Sequence, residues 1–310
     1  MANRTLTDLS KRVLRETFEL GQRLGVDFLP RHFYSEIPDI RLMRRDRSWR
    51  APFSMIGVRG AAIESQLEHL RSWVTPSIAR HLREVDVFEA ACAENGAVGF
   101  GRIEADLLFA FVASQKPAHI FQVGCGVSTA VCVAAARFAG YQPRITCVDP
   151  YPTGVLQRLA AAGSIDLIPE RVQSVPLSRL EALGNDTLFF VDSSHTLGPA
   201  GEVSRIILEM LPRLKVGSRV HFHDIYFPYD YGRSVLREAL FFQHESVLLH
   251  AFLAFNSRFS VLASCSMLHY GAPAELRDAL PNYRPAPNDD GLSAGTGHFP
   301  SSIYIQTETG

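Results

Sequence analysis

The sequence lacks the cysteine patterns that indicate a disulfide framework or a metal-thiolate site. Its five cysteines are an odd number, and none belongs to a Cys-x-x-Cys pair. Because small secreted domains carry paired cysteines at close spacing, we expect reduced, buried thiols in a cytoplasmic protein. The cysteines lie in apolar stretches, at Cys92, Cys125, Cys132, Cys147 and Cys265.

Long apolar runs and an excess of either charge are also missing. No stretch of about 18 apolar residues occurs, and the N-terminal segment has no apolar core of the signal-peptide type, so we expect neither a membrane span nor secretion. The 31 basic and 32 acidic side chains give a formal net charge of -1, which does not favour nucleic acid or an anionic membrane as a partner. We therefore interpret the arginines between residues 41 and 50 as a solvated face.

The composition is that of a globular protein with a sizeable core, since 46% of the 310 residues are hydrophobic and 20% are charged. An amphipathic pattern predicts a helix over 5–24, and further helical patterns cover 61–94, with a break at Pro76, and 102–115. From residue 118 onward, short apolar runs alternate with helical patterns. This alternation predicts a parallel sheet covered by helices on both faces.

The predicted strands and helices of this second part can be placed along the chain. Seven runs have the composition of strands, namely HIFQV, RITCVD, RVQSV, TLFFVD, RVHFHD, residues 258–264 and SSIYIQ. Helical patterns lie near 128–139, 153–162, 178–183, 200–213 and 231–254. We predict an α/β fold with a seven-stranded, mostly parallel sheet in a domain at 97–310. A helical domain at 1–96 precedes it, and we expect that domain to cover the functional site and to be a candidate homodimer interface.

A glycine-rich turn follows the first predicted strand. Gly124 and Gly126 lie between that strand and a helix of small residues, where glycine lets the backbone turn tightly and lets a ligand approach. Asp149 ends the next strand, where a carboxylate can accept hydrogen bonds from both hydroxyls of a ribose. Because Thr129 stands where a dinucleotide enzyme has a third glycine, the turn does not favour a nicotinamide oxidoreductase. The sequence therefore predicts a nucleoside site at this turn.

The stretches around the turn resemble the class I S-adenosylmethionine-dependent methyltransferases. The similarity covers roughly residues 99–264 and includes FQVGCGVSTA, CVDPYP, LFFVDSSH and VGSRVHFHDIYFPYDY. The resemblance implies a Rossmann-like fold, S-adenosylmethionine as the cofactor, and methyl transfer to a small molecule such as a secondary metabolite or a sugar.

The resemblance also implies which residues contact the cofactor. By position they are Gln122, Gly124, Gly126, Ser128, Thr129, Asp149, Gln173 and Asp192. In that family the residue at Asp149 holds the ribose, the residue at Gln173 lies along the adenine, and the two glycines face the methionine portion. The family usually has an acid where this chain has Gln122, which implies weaker binding of the cofactor's ammonium group.

Polar side chains follow two predicted strands at the edge where open parallel sheets bind ligands. Asp192 and His195 follow the fourth strand, and His223 and Asp224 end the fifth. Carboxylates and imidazoles are ligands of divalent metals, so Asp192, His223 and Asp224 are candidate ligands of Mg or Fe. His221 alternates with His223 along the strand, and we interpret it as a core histidine.

The spacing of these residues resembles that of catechol-type O-methyltransferases, in which a basic residue follows the first acid. The resemblance implies that His195 is the general base and that Asp192 and Asp224 take part in catalysis. An imidazole with a pKa of about 6.5 is a free base at neutral pH, and a bound metal would lower the pKa of the acceptor hydroxyl. We therefore expect methyl transfer to a hydroxyl, with a nitrogen as the second choice.

Other functions remain open at this point. A non-haem iron oxygenase would use two histidines and one carboxylate at the same strand ends, and it would consume oxygen without binding the sulfonium. A non-catalytic interaction protein would keep the fold, and Gln122 is the feature that favours it. The aromatic segment at 226–231 predicts an apolar pocket wall, which His32, Phe33 and Tyr34 would close from the N-terminal side.

Overall fold

The computed structural model describes residues 2–29, 31, 37–46, 48, 51–231, 240–284 and 300–310. The chain divides into two compact units, Met1–Asp46 and Arg47–Gly310. The domain boundary predicted between residues 96 and 97 falls inside the second unit and stays a prediction. His32, Phe33 and Tyr34, which were expected to close the pocket, lie outside the described residues.

Two helices lie in the described part of the first unit. Helix α1 spans Ala2–Arg23, which confirms the predicted N-terminal helix, and α2 spans Ile40–Arg45. Asp39 caps α2, because its carboxylate accepts hydrogen bonds from the backbone N–H groups of Arg41 and Leu42. A side-chain cap of this kind satisfies two of the four N–H groups that a helix start leaves without a partner.

The second unit is built on one seven-stranded sheet with the order β3-β2-β1-β4-β5-β7-β6. The strands are β1 (His119–Val123), β2 (Arg144–Val148), β3 (Asp166–Ile168), β4 (Thr187–Val191), β5 (Arg219–Phe222), β6 (Phe259–Ser264) and β7 (Ile303–Thr307). The first five are parallel to one another, and β7 is antiparallel to both of its neighbours. The fold is therefore the predicted α/β, Rossmann-like architecture with a mostly parallel sheet.

Helices lie between the strands and ahead of them. They are α3 (Ile63–Trp73), α4 (Pro76–Glu84), α5 (Val87–Asn95), α6 (Arg102–Gln115), α7 (Val127–Phe138), α8 (Gly154–Ala161), α9 (Ser178–Glu181), α10 (Glu202–Arg205), α11 (Glu245–Leu253), α12 (Cys265–Gly271) and α13 (Pro273–Ala279). Pro76 begins α4, where its missing N–H costs nothing, so the break predicted there is confirmed.

The sheet separates two hydrophobic cores. Along β1, Ile120 belongs to the core on one face, while Phe121 and Val123 belong to the core on the other. Successive side chains of a strand point to opposite faces, so a strand covered on both sides is apolar at nearly every position. Fully burying one such side chain stabilises the fold by roughly 1.5 to 3 kcal/mol. This packing fixes the ends of the strands, where the candidate site lies.

The run RVQSV is not a strand, and this part of the prediction is wrong. Val172–Ser174 form a 3-10 turn, and the third strand is Asp166–Ile168, which pairs with β2. Val172 and Val175 are both buried. In a 3-10 turn, residues three apart lie on the same side, so these two valines can reach the core without a strand.

Two predicted helices also differ from the structure. Of the stretch 231–254, residues 232–239 lie outside the described part of the chain, residues 240–244 are not helical, and α11 begins only at Glu245. The stretch 200–213 starts as α10 and continues as a π-helical turn at Ile206–Met210 and a 3-10 turn at Leu211–Arg213. Pro212 has no N–H to donate, which explains why a regular helix does not continue there.

The cysteine prediction is confirmed, since all five are free thiols. Four are buried and Cys125 is half-buried. Among the helices of the described ranges, none is long and apolar enough to cross a membrane.

Candidate active site

The glycine turn connects β1 to α7. Gly124 and Gly126 have φ angles of +78° and +150°, which side chains rarely tolerate. A Cβ atom on Gly124 would lie 2.1 Å from the carbonyl oxygen of Asp192, so the close approach of the β4 end requires glycine there. A Cβ atom on Gly126 would lie 3.4 Å from the amide nitrogen of Asn95, a side chain at the end of α5. The turn therefore requires glycine partly because neighbouring residues lie so close to it. The lack of side chains also leaves room for a ligand to approach the backbone.

The carboxylate of Asp149 lies directly against this turn. One oxygen, Oδ2, accepts a hydrogen bond of 3.2 Å from the backbone N–H of Cys125, and Oδ1 accepts one of 2.7 Å from that of Tyr151. The side chain is half-buried. A carboxylate oxygen can accept two hydrogen bonds, so each oxygen keeps the capacity to bind a sugar hydroxyl. The structure thus brings together the two features from which a nucleoside site was predicted.

Gln122, Ser128 and Thr129 lie beneath the turn and bond to one another. The hydroxyl of Thr129 donates to Oε1 of Gln122 at 2.9 Å and accepts the N–H of Gly126 at 3.3 Å, while Nε2 of Gln122 lies 3.4 Å from the hydroxyl of Ser128. All three side chains are buried. A neutral amide is cheaper to bury than a carboxylate, which gives a structural reason for glutamine at this position. The hydrogen bonds of these buried residues therefore stabilise the conformation of the glycine turn.

Gln173 lies in the 3-10 turn after β3. Its Nε2 atom donates to the carbonyl oxygen of Ala200 at 3.4 Å. Its Oε1 atom is buried and has no hydrogen-bond partner within the described ranges. The side chain therefore keeps one free acceptor, while its other end is tied to the loop that follows β4.

Two residues at the strand ends adopt the left-handed backbone region. His195 has a φ of +59° and Asp224 a φ of +52°, which costs roughly 1 to 3 kcal/mol for a residue other than glycine. The carbonyl of His195 accepts the N–H groups of His244 and Glu245 at 2.8 and 3.2 Å. The hydroxyl of Ser301 donates to Asp224 at 3.0 Å. The surrounding chain thus holds both side chains in their positions at the strand ends.

The structure brings Asp192, His195 and Asp224 together, as the sequence predicted. Nε2 of His195 lies 3.6 Å from Oδ1 of Asp192 and 3.8 Å from Oδ2 of Asp224. The carboxylate side chains are 33% and 40% exposed, whereas that of His195 is only 8% exposed. The two acids therefore reach the surface at the ends of β4 and β5, and the imidazole lies behind them. The space between their two carboxylates is called the crevice below.

The other two histidines are set further into the protein. Nε2 of His223 lies 3.5 Å from Oδ1 of Asp224, and its ring packs on Phe100 with centroids 4.4 Å apart. His221 is wholly buried and stacks on Phe190 at 4.6 Å. Burial, together with the charge of His223, holds the pKa of His221 well below its usual value. His221 is therefore a neutral core histidine.

Sequence reasoning missed Glu245, which belongs to the same cluster. This residue begins α11, is wholly buried, and places Oε2 2.7 Å from Nδ1 of His195. Fifty residues separate the two in the chain. The sequence contains little signal for it, because Glu245 is one of several polar residues within the stretch 231–254 that we predicted to be one helix.

These contacts change the charge expected for His195. Burial alone would lower its pKa, but the hydrogen bonds to Asp192 and Glu245 and the charge of Asp224 raise the pKa to about 10. Burial raises the pKa of Asp192, but the nearby histidines outweigh burial and hold it below its usual value. His195 is therefore an imidazolium at neutral pH, whereas the sequence predicted a neutral imidazole.

The predicted metal site is not supported. Within the described ranges, no group of three His, Cys, Asp or Glu side chains is arranged to hold a metal ion. Asp192 and Asp224 instead face the protonated imidazole of His195, which has no lone pair to offer a metal. The donor set of Asp192, His223 and Asp224 does not fit a divalent ion in this arrangement.

Comparisons with known proteins agree with this architecture. Residues 121–225 match the family model of a methyltransferase domain. An uncharacterised protein of Archaeoglobus fulgidus is 28% identical over 199 residues, which are 60% of this chain and 85% of that protein.

Among solved structures, the methyltransferase PaMTH1 of Podospora anserina is 13% identical, with 91% of this chain and 99% of that chain covered and a TM-score of 0.40. The plantazolicin methyltransferase BamL is 14% identical, with 80% and 98% covered and a TM-score of 0.39. The segment matched by the family model contains the glycine turn, Asp149 and both polar strand ends. Residues 121–225 of this chain are therefore similar to a methyltransferase domain.

Proposed function

We propose that the protein transfers a methyl group from S-adenosylmethionine to a hydroxyl group of a small molecule. The observation that carries this proposal is the carboxylate of Asp149 against the glycine turn, beside a crevice lined by Asp192 and Asp224. The Asp149 carboxylate beside the glycine turn suits a nucleoside. The carboxylates of Asp192 and Asp224 suit an acceptor group that gives up a proton.

The residues present fit the cofactor. Asp149 would accept the ribose hydroxyls, and the turn from Gly124 to Gly126 would lie along the methionine portion. The Oε1 atom of Gln173, buried and without a hydrogen-bond partner in the described part of the chain, would be the acceptor for the adenine. When bound, the cofactor supplies an electrophilic methyl group, so the protein must orient the acceptor and remove its proton.

The exposed carboxylates are the groups that face the acceptor. A hydroxyl becomes strongly acidic as it gains a methyl group, so a carboxylate can accept its proton at that stage even where its pKa is lowered. The proton would pass from the acceptor oxygen to Asp192 or Asp224. Before that proton arrives, the imidazolium of His195 would stabilise the negative charge of the two carboxylates. His195 would thus act through its charge, in place of the general-base role inferred from the resemblance.

The aromatic segment contributes less open surface than expected. Tyr226 and Tyr231 are buried and pack on each other, with ring centroids 5.3 Å apart. Only Tyr229 is half-buried, and it packs on Tyr270. We therefore propose that the acceptor is held mainly by polar contacts at the strand ends.

The oxygenase alternative is not favoured, because the family match and the glycine turn are those of a methyltransferase. Among methyl acceptors, an amine is the second candidate. Two carboxylates at the crevice also suit a nitrogen that becomes positively charged on methylation.

The test is transfer of labelled methyl from S-adenosylmethionine to three probes, a catechol, a monophenol and a primary amine. We expect labelled hydroxyl products and a 100-fold to 10,000-fold loss in rate for Asp224→Asn, on the order of a general-base contribution. Asp166→Asn, a change in an exposed carboxylate that pairs with Arg144, is the matched control and should keep full activity. Label found only on the amine would contradict hydroxyl transfer.

A further inference from the structure

We propose that Glu245 is a positioning residue that fixes the ring of His195, so that Nε2 faces the crevice between Asp192 and Asp224. The role of the crevice rests on the proposed function. The orientation of the ring rests only on contacts within the folded chain.

The side-chain contacts determine which ring nitrogen faces which acid. Oε2 of Glu245 lies 2.7 Å from Nδ1 of His195 and accepts the hydroxyl of Ser193 at 2.9 Å. With Nδ1 held by Glu245, Nε2 is the nitrogen left to face Asp192, at 3.6 Å. Rotating the ring by 180° would place ring carbon atoms against the carboxylates of Glu245 and Asp192. Both of these interactions of the ring nitrogens would then be lost.

The backbone fixes the same pair of residues a second time. The N–H groups of His244 and Glu245 donate to the carbonyl of His195. The N–H of His195 in turn donates to the hydroxyl of Ser193 at 3.1 Å, and that hydroxyl donates to Glu245. The end of β4 and the start of α11 are therefore joined by both main chain and side chain at the residue with the left-handed φ.

A neutral side chain of the same size would not hold the ring equally well. A hydrogen bond between an imidazolium and a carboxylate is about twice as strong as one between neutral groups. Glu245 is wholly buried, and its other oxygen, Oε1, has no hydrogen-bond partner in the described part of the chain. A buried carboxylate with one unpaired oxygen is costly for stability, and the orientation of His195 gives a reason for retaining it.

Nuclear magnetic resonance of protein with 15N-labelled histidine tests this inference without any substrate. His195 is assigned by the signal that disappears in His195→Asn. In the wild type we expect a proton on Nδ1 that resonates at low field and exchanges slowly with water. Glu245→Gln should lose this low-field signal, whereas Ser193→Ala, which removes the other group bonded to the same oxygen, should keep it.

Two results would overturn the inference. One is a wild-type spectrum in which Nδ1 of His195 carries no proton, and this result decides the matter even when Glu245→Gln does not fold. The other is an unchanged low-field signal in folded Glu245→Gln.

A binding measurement separates this inference from the proposed function. Glu245 contacts no residue of the glycine turn among its described hydrogen bonds, so Glu245→Gln should bind S-adenosylmethionine within about threefold of the wild type. With the catechol probe, its kcat should fall while the KM for S-adenosylmethionine stays the same. If the wild type does not bind S-adenosylmethionine at all, the proposed function fails while the result on ring orientation stands.

Discussion

At the scale of single residues, Asp149 has the most direct consequence for function. Its carboxylate accepts backbone N–H groups from both sides, so the side chain is already oriented before a ligand arrives. A group held in this way loses little freedom on binding, which favours affinity. The negative charge strengthens each hydrogen bond that a ribose hydroxyl would donate.

Replacing Asp149 by Asn should weaken the binding of S-adenosylmethionine. A hydrogen bond to a charged group is worth about 1.5 to 3 kcal/mol, which corresponds to a roughly 10-fold to 100-fold higher Kd. Isothermal titration calorimetry measures the change, with Asp166→Asn as the control of equal charge change. An affinity unaltered in Asp149→Asn would show that this carboxylate does not hold the ribose.

The raised pKa of His195 predicts how stability depends on pH. The folded state binds this proton more tightly than the unfolded chain, whose histidines have a pKa of about 6.5. The stabilising contribution is therefore fully present below about pH 6.5, and it is lost as the pH rises through about 10.

Urea unfolding at several pH values between 6 and 10 checks this dependence. We expect the free energy of unfolding to fall with rising pH in the wild type, and to fall less in His195→Asn. Parallel pH profiles for the two proteins would argue against an imidazolium at this position.

At the scale of elements, the end of β4 and the glycine turn depend on each other. The N–H of Asp192 donates to the carbonyl of Val123, and its own carbonyl lies where a side chain at position 124 would begin. The glycine turn and the end of the strand that leads to Asp192 are thus in direct contact. A substitution in the turn should therefore alter both the glycine turn and the position of Asp192.

Gly124→Ala tests this contact. The φ of +78° alone costs about 1 to 3 kcal/mol for alanine, and the overlap with the Asp192 carbonyl adds to that cost. Gly163→Ala is a matched control, because Gly163 has a φ of +71° but nothing within 4 Å of the added carbon. We expect Gly124→Ala to lower the free energy of unfolding more than the control. Equal losses of unfolding free energy in Gly124→Ala and Gly163→Ala would mean that the end of β4 moves away from the added carbon without an energetic cost.

The sequence predicted those elements whose signals are local. β1 at His119–Val123 and α6 at Arg102–Gln115 have the predicted bounds, because apolar runs and the Lys116-Pro117 stop are read within a few residues. The third strand was misplaced, because Asp166–Ile168 is only three residues long, too short to show a clear strand pattern. A spacing of two valines was mistaken for a strand when it fits a 3-10 turn equally well.

The candidate site shows the same limit. The glycine turn, Asp149 and the strand-end acids could be predicted, because they follow strands that the sequence marks clearly. The protonation of His195 could not, because it depends not only on Asp192 nearby in the chain but also on Glu245, fifty residues away. The metal site predicted at Asp192, His223 and Asp224 is not supported by the arrangement of side chains in the described ranges.

At the scale of the whole molecule, the strand order brings the residues of the proposed cofactor and acceptor sites to one edge of the sheet. β1 has β2 on one side and β4 on the other, and β5 follows β4, all parallel. Parallel neighbours end at the same edge, so Asp149 after β2 and the acids after β4 and β5 share it. The homodimer and the cytoplasmic location stay predictions.

A crystal structure of the protein with S-adenosylhomocysteine tests the central claim most directly. The account predicts that the ribose hydroxyls lie within hydrogen-bond distance, about 3 Å, of the Asp149 carboxylate, with the sulfur directed toward Asp192 and Asp224. A nucleoside bound elsewhere, or a ribose that does not touch Asp149, would contradict it.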